Sequence, residues 1–144
     1  MMRCDIVGEA RRWIGTPYVH HASCRGHGTD CLGLVRGIWR VFLGTEPEQL
    51  PAYPPNWCDI ASEDRLLRVG LDHFEPVDTS NAGAGDFLLF RMAVHQPARH
   101  CAIMSTHDQI IHAYWARQVS ETKLAPWWKR RIVACFRFPG LQDP

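Results

Sequence analysis

The sequence has no long apolar run, no internal repeat and almost no net charge. No segment reaches the ~18 apolar residues that a membrane-spanning helix needs. The 16 Lys and Arg residues nearly balance the 15 Asp and Glu residues, which leaves a formal net charge of +1. Nucleic-acid binding needs a concentrated basic face, and the one basic cluster, residues 129–131, is typical of a solvated strand edge. The composition therefore argues against nucleic acid and against a membrane span.

The sequence also lacks an apolar secretory leader and any C-x-x-C pair. The first residues, MMRCDIVGEARRW, carry acids and arginines where a secretory signal needs an apolar stretch. We therefore expect synthesis in the cytoplasm and reduced thiols rather than three disulfides. The six cysteines concerned are Cys4, Cys24, Cys31, Cys58, Cys101 and Cys135.

The 144 residues are enough to bury one core, and we expect a single domain over 1–144. Apolar residues at helical spacing predict helices over 2–14 and 31–43, and a Ser62-capped helix to about residue 74. Strands are predicted in the short apolar segments FLLFRM, HCAIMS, QIIHAYW and RIVACFRF. Helices first and strands afterwards predict an α+β domain, with N-terminal helices packed on a central antiparallel sheet.

Cys31 occupies a position where a helix can make a cysteine reactive. Thr29 or Asp30 is the predicted N-cap, so Cys31 falls in the first turn. The unpaired N–H groups and the positive dipole end there favour the thiolate, which is the nucleophilic form. Gly33 and Gly37 each cost about 1 kcal/mol relative to alanine, which predicts close approach of another backbone, most simply the sheet. A buried, inert cysteine is the alternative interpretation.

Two of the eight histidines are spaced to act as a base and its orienting partner. His100 opens HCAIMS, His112 lies in QIIHAYW, and STHD between them can form a turn. The pair would then be near-opposite on neighbouring antiparallel strands, with both side chains on one face. In a cysteine–histidine enzyme, His100 would take the proton from Cys31 while His112 fixes the tautomer of His100. Each could instead be an ordinary surface histidine.

Four segments, in this order, resemble the NlpC-type cell-wall cysteine peptidases. WIGTPYVHHASCRGHGTDCLGLV resembles their G-T-P-Y segment and D-C-x-G-L-V helix, and GAGDFLLF resembles their strand entering the sheet. RHCAIM and IIHAY resemble their two histidine strands. The resemblance implies a papain-like fold and cofactor-free hydrolysis of peptidoglycan stem peptides. The bond expected to be cut lies between γ-D-glutamate and a diamino acid.

The resemblance also implies a role for each matching residue. Cys31 corresponds to the nucleophile, His100 to the general base and His112 to the orienting third residue. Tyr18 matches a tyrosine near the thiol that helps to hold substrate or oxyanion, and the Cys31 N–H is the other oxyanion donor. Asp30 precedes the nucleophile and either binds substrate or shapes the turn.

The chain departs from the family pattern in three places. Leu32 stands where many members have serine, Cys101 and Ala102 replace a small, glycine-containing run, and the proline-rich loop 44–59 is longer than in minimal members. DCLGLV, this loop, the terminal FRFPG and the missing signal most resemble the subgroup encoded with phage tails and gene transfer agents. That resemblance implies phage-tail partners and action in the periplasm or cell wall.

A metal site is the first alternative function. Five potential ligands lie within twelve residues, and the C-x-x-H spacing among them is ligand-like. Zinc there would make the cysteine of the DCLGLV segment a closed structural ligand. The five are His20, His21, Cys24, His27 and Cys31.

Two further alternatives keep the fold but change the function. The chain could be an inactive tail or assembly protein, or an amidase or acyltransferase that shares the acyl-thioester intermediate. The aromatic pair Trp127 and Trp128 likewise has two interpretations, stacking on sugar rings or packing within the protein.

Overall fold

The computed structural model describes residues 1–47 and 64–142, and these residues form four α-helices and eight strands. The helices are α1 (Arg3–Arg12), α2 (Cys31–Leu43), α3 (Arg65–His73) and α4 (Pro126–Lys129). The strands are β1 (Ser23–Cys24), β2 (Gly28–Thr29), β3 (Glu75–Val77), β4 (Phe87–Phe90), β5 (His100–Thr106), β6 (Gln109–His112), β7 (Ser120–Lys123) and β8 (Ile132–Arg137). A 3₁₀ turn spans Thr79–Asn81. Each of the four predicted strand segments matches an observed strand, namely β4, β5, β6 and β8, with β5 one residue longer than HCAIMS.

Six of these strands form one sheet in the order β3-β8-β4-β5-β6-β7, and β1 and β2 form a separate hairpin. Every neighbouring pair in the large sheet is antiparallel. Both α1 and α2 contact β5, the strand that opens with His100. The predicted packing of N-terminal helices on a central antiparallel sheet is therefore confirmed.

Alternating side chains of β5 face opposite sides of the sheet, as the pleat requires. Cys101 and Ile103 lie in the core on the helix side, together with Cys31. Ala102 and Met104 lie in a second core on the opposite face. Both faces of β5 are therefore buried, which fixes the strand that carries the predicted base.

The two glycines of α2 are confirmed as close-approach positions, but the prediction that they approach the sheet is wrong. A Cβ on Gly33 would lie 2.0 Å from the carbonyl oxygen of Ala22, in the loop before the helix. A Cβ on Gly37 would lie 2.1 Å from the ring of Trp13, directly after α1. The glycines thus let α2 approach α1 and its own preceding loop, which holds the start of the helix in place.

The helix predicted up to residue 74 is α3, and its N-cap is Asp64. The Asp64 Oδ1 accepts a hydrogen bond from the backbone N–H of Leu67 at 3.0 Å. The predicted cap, Ser62, and the part of the proline-rich loop beyond residue 47 lie outside the described residues. Across residues 1–47 and 64–142, no helix combines the length and apolar character needed to cross a bilayer.

Candidate active site

Asp30 fixes the start of α2 and therefore the position of Cys31. Its Oδ1 accepts from the N–H of Gly33 at 2.7 Å, and its Oδ2 accepts from the N–H of His21 at 2.8 Å. Thr29 instead donates its hydroxyl to the Asp30 carbonyl at 2.9 Å, so Asp30 is the cap. With both carboxylate oxygens engaged and only 2% of the residue exposed, Asp30 shapes the turn before the cysteine.

A cleft of about 170 Å³ opens where the start of α2 meets the start of β5. Cys31 reaches it from α2, His100 from β5 and Tyr18 from the loop after α1. A backbone bridge between Tyr18 and Thr29 holds that loop beside the helix start. The structure thus brings three of the predicted site residues into one cleft. Its full lining is Tyr18, Cys31, Met92, Arg99, His100, Ala113, Tyr114 and Trp115.

The two predicted histidines are in direct contact behind this cleft. The Nε2 of His100 lies 2.8 Å from the Nδ1 of His112. The Nε2 of His112 lies 2.9 Å from the Oγ1 of Thr122 on β7. Because the bond to His112 uses Nε2 of His100, the other ring nitrogen of His100, Nδ1, is the one left for a different partner. The prediction that both side chains share one face of neighbouring strands is confirmed.

Cys31 and His100 share the cleft without a hydrogen bond between them. Catalytic hydrogen bonds are often long or poorly aligned before substrate binds and tighten in the complex. Cys101 lies behind the nucleophile position. A hydrogen bond with Cys31, burial, and the charges of Cys31 and Asp30 raise the pKa of Cys101 well above its usual range. Cys101 therefore stays a protonated thiol beside Cys31.

Aromatic rings enclose the histidine pair. Trp128 lies 5.2 Å from His100 and 5.3 Å from His112 between ring centroids, and Phe90 stacks on His100 at 5.9 Å. Burial lowers the pKa of His112 to about 4. Burial, followed by the proximity of His112, lowers the pKa of His100 well below its usual range. Both imidazoles are therefore neutral at pH 7, the form in which His100 can accept a proton.

Sequence reasoning missed Thr122 and left the role of Trp128 open. Trp128 packs against the histidines, so the packing interpretation holds for it. Trp127 is 41% exposed, and the guanidinium carbon of Arg131 lies 3.7 Å from its ring centroid. No local sequence pattern around Thr122 or Trp128 predicts a contact with a histidine elsewhere in the chain.

Tyr18 lines the cleft beside Cys31. Burial raises the pKa of Tyr18 above its ordinary value, and the proximity of Cys31 and Asp30 raises it further. Its ring lies 5.7 Å from that of Trp115, at the exposed side of the cleft. A phenol that stays protonated next to a thiol can donate a hydrogen bond to a developing oxyanion.

We expect the protein to lose stability as the pH falls from about 6.5 to about 4, because His112 must be protonated on unfolding. Its pKa is about 4 in the folded protein against an ordinary value of 6.5. Between those values the unfolded chain binds more protons, so stability falls with pH. At about 1.4 kcal/mol per pH unit, His112 contributes at most about 3 kcal/mol, present in full above pH 6.5.

Urea unfolding at pH 7 and at pH 4.5 would measure this loss, with a His112→Gln variant beside the wild type. The variant should show a smaller difference between the two pH values. His107→Gln is the matched control, because the His107 side chain is 92% exposed. Equal acid losses in the wild type and in His112→Gln would contradict the prediction.

The loop of the zinc alternative lies within the described residues. Over residues 1–47 and 64–142, no group of three or more His, Cys, Asp or Glu side chains is arranged to hold a metal ion. His20 and His21 instead lie against each other and around Asp30. Through these contacts, His20 and His21 support the start of α2. The cysteines in the described part are all free thiols, and Cys58 lies outside it.

A profile of the NlpC/P60 family matches residues 15–137, the greater part of the chain. The chain belongs to the NlpC/P60 family. Members of this family are cysteine peptidases and peptidoglycan hydrolases. The resemblance of the four sequence segments to NlpC-type enzymes is thereby confirmed, and so is the papain-like α+β fold.

One relative and two solved structures illustrate what the chain is similar to. The chain is 29% identical over 140 residues to a gamma-DL-glutamyl hydrolase of Bacillus subtilis, covering 96% of this chain and 30% of that protein. The NlpC/p60 domain of the peptidoglycan hydrolase SagA superimposes with a TM-score of 0.68 at 23% identity, covering 96% of this chain and all of that domain. An NlpC/P60 protein from Bacillus cereus gives 0.70 at 20% identity, covering 96% of this chain and 40% of that one. This NlpC/P60 chain thus spans about a third of the B. subtilis protein.

Proposed function

We propose that this NlpC/P60 protein is a cysteine endopeptidase that cleaves peptidoglycan stem peptides between γ-D-glutamate and the following diamino acid. The observation that carries the proposal is the cleft shared by Cys31, Tyr18 and His100, with His112 bonded to the far side of His100. The name of the B. subtilis relative, a gamma-DL-glutamyl hydrolase, supports a γ-glutamyl amide as the bond.

The proposed reaction proceeds through an acyl-enzyme. The Cys31 sulfur attacks the amide carbonyl while the Nδ1 of His100 takes the thiol proton. The Cys31 N–H and the Tyr18 hydroxyl stabilise the oxyanion. His100 then passes the proton to the leaving amine, and water that His100 deprotonates releases the glutamyl acid. The reaction as proposed uses no cofactor.

His112 and Thr122 act in this scheme on the direction of the His100 ring. The 2.8 Å bond to His112 Nδ1 fixes which nitrogen of His100 faces the cysteine, and the 2.9 Å bond to Thr122 fixes His112 in turn. A base held in one orientation needs no rearrangement at the moment of attack. His112 is thus an orienting residue that acts through His100.

The proposal is tested with the tripeptide L-Ala-γ-D-Glu-diamino acid, made with either meso-diaminopimelate or lysine and analysed by mass spectrometry. We expect L-Ala-D-Glu and free diamino acid as products, with one diamino acid preferred. A peptide joined through the α-carboxyl of glutamate is the control and should remain intact. Cleavage of the control alone, or of neither peptide, would contradict the proposal. Intact peptides would favour the inactive assembly protein.

The same assay on muropeptides separates the peptidase from the other acyl chemistries. An amidase would release the stem peptide from the sugar, and an acyltransferase would join the acyl group to an added amine. The peptidase leaves L-Ala-D-Glu attached to the sugar. These products differ in mass, so one spectrum decides among the three.

Association with a phage tail or gene transfer agent, and action in the periplasm or cell wall, are a finer part of the proposal. Their support is the resemblance of DCLGLV and FRFPG to that subgroup. Antibody labelling of purified particles would test it, with the tail tip as the expected position. If purified particles do not contain the protein, this part of the proposal is wrong, while the proposed peptidase activity still stands.

A further inference from the structure

The cleft contains one side chain of fixed charge that the reaction scheme does not use. Of the described residues that line it, Arg99 alone is permanently charged, and it directly precedes His100. The Arg99 backbone N–H donates to the Phe90 carbonyl at 2.9 Å, which fixes the residue at the start of β5. The Arg99 backbone is therefore fixed directly before the proposed base, and both residues line the same cleft.

Within the part of the chain that the structure describes, most of the guanidinium donors of Arg99 have no protein acceptor. Arg99 donates to the side-chain carbonyl of Gln96, and its Nε is buried without a protein acceptor. No carboxylate of residues 1–47 or 64–142 forms an ion pair with it. A guanidinium has five N–H donors in a planar fork that matches the two oxygens of a carboxylate. A buried donor such as this Nε is costly when it has no acceptor, and an anionic ligand would satisfy it.

We infer that Arg99 binds a substrate carboxylate that flanks the scissile amide, an inference that rests on the proposed function. In a γ-linked glutamate the α-carboxylate remains free, four carbon–carbon bonds from the scissile carbonyl and on the order of 5 Å away. In the tripeptide, the diamino acid carries a second free carboxylate on the amine side of the same bond. Both match the position of Arg99 beside His100, and the glutamate α-carboxylate is present in every substrate with this linkage.

Arg99 is then a specificity-determining residue that distinguishes acid from amide. Converting the bound carboxylate to a carboxamide removes its charge and one of its two acceptor oxygens, so the paired hydrogen bonds are lost. A charged hydrogen bond of this kind corresponds to about a 10- to 100-fold difference in kcat/KM. If Arg99 holds the glutamate carboxylate, stem peptides with amidated glutamate would be cut more slowly. If it holds the carboxylate of the diamino acid, amidation of that residue would slow cleavage instead.

The test compares three tripeptides: the acid form, the form with the glutamate α-carboxylate amidated, and the form with the diamino acid carboxylate amidated. We expect wild type to prefer the acid form by about 10- to 100-fold over one of the amides, which identifies the carboxylate bound. Arg99→Gln should lose that preference by cutting the acid form as slowly as the amide. Arg99→Lys should recover part of it, since lysine supplies charge without the planar fork. Arg91→Gln is the matched control, an exposed arginine outside the cleft, and should keep the wild-type preference.

Two results would overturn the inference and leave the proposed function standing. One is equal cleavage of all three peptides by wild type. The other is a fall in kcat/KM in Arg99→Gln that is the same for the acid and amide forms. If wild type cuts none of them, the proposed function fails. Calorimetric binding of L-Ala-D-Glu and of its α-amide to Cys31→Ala protein then decides the role of Arg99 separately. Tighter binding of the acid that Arg99→Gln abolishes supports the inference, and equal binding overturns it.

Discussion

Replacement of Cys31 by alanine is expected to abolish hydrolysis and leave the fold unchanged. Without the sulfur no acyl-enzyme can form, and removal of a nucleophile that works as a unit with its base typically lowers kcat by about 10⁴-fold or more. The substitution removes one atom from a residue that is 6% exposed at the edge of the core. The free energy of unfolding should therefore fall by about 1 kcal/mol or less.

Two measurements check this expectation. The first is the initial rate of stem-peptide cleavage by Cys31→Ala beside the wild type. The second is intact mass after a brief iodoacetamide pulse near pH 6, where ordinary thiols are mostly protonated and react slowly. We expect one rapid adduct in the wild type that is missing in Cys31→Ala. Cys24→Ala is the matched control, because Cys24 is an exposed free thiol outside the cleft.

The possible results separate the nucleophile from its alternatives. Activity that survives in Cys31→Ala would show that another group carries the chemistry. Wild-type protein that gives no rapid adduct at Cys31 would favour the buried, inert cysteine. An adduct that also disappears in Cys24→Ala would place the reactive thiol outside the cleft. Only loss of both adduct and activity in Cys31→Ala alone agrees with the proposed mechanism.

The parts of the site that the sequence predicts are those with local signals. Helix α2 begins at Cys31 as predicted, because an aspartate cap and an amphipathic run define a helix start within a few residues. The histidine pair follows from strand alternation and a short turn. The order of the motifs also predicts the papain-like fold, since each motif marks one element.

The parts that it missed depend on contacts between distant segments. The polar segment SETK shows no strand pattern, yet it forms β7 because its backbone pairs with β6, and this pairing brings Thr122 to His112. The partner of Gly37 is the Trp13 ring, 24 positions earlier. Arg99 was missed for a related reason. A sequence shows where donors occur, but only packing shows which of them lack an acceptor.

A second large effect is expected from Asp86→Asn, on stability rather than on chemistry. Asp86 ends the GAGD turn with no exposed surface. Its carboxylate accepts from the Nε and a terminal N–H of Arg137 at 2.8 and 2.9 Å, and from the N–H of Gly83 at 2.9 Å. The guanidinium of Arg3 lies 3.3 Å away. One buried charge thus joins α1, the start of β4 and the end of β8.

Asparagine has the same shape but no charge, so both arginines would lose their ion pair with residue 86. Breaking a buried pair by removing one partner typically costs 3–5 kcal/mol. Because Arg137 and Arg3 keep 22% and 18% of their side-chain surface exposed, partial hydration offsets some of that cost. We therefore expect the free energy of unfolding to fall by about 3 kcal/mol, measured by urea unfolding at pH 7.

Glu121→Gln is the matched control, since its paired bonds to Arg11 are solvent-exposed and should contribute about 1 kcal/mol or less. Similar losses in the two variants would contradict this account of Asp86.

Activity of Asp86→Asn distinguishes support of the fold from a direct role in the cleft. Asp86 lies outside the cleft lining, but its backbone carbonyl accepts from Met104 on β5, the strand that opens with His100. If the carboxylate only stabilises this framework, the folded fraction of the variant should keep wild-type kcat and KM. Stabilising osmolytes, which favour burial because they are excluded from the protein surface, should then restore total activity in step with folding. A kcat that stays low in fully folded variant protein would show instead that this ion pair sets the geometry of β5, and through it the position of the histidine beside Cys31.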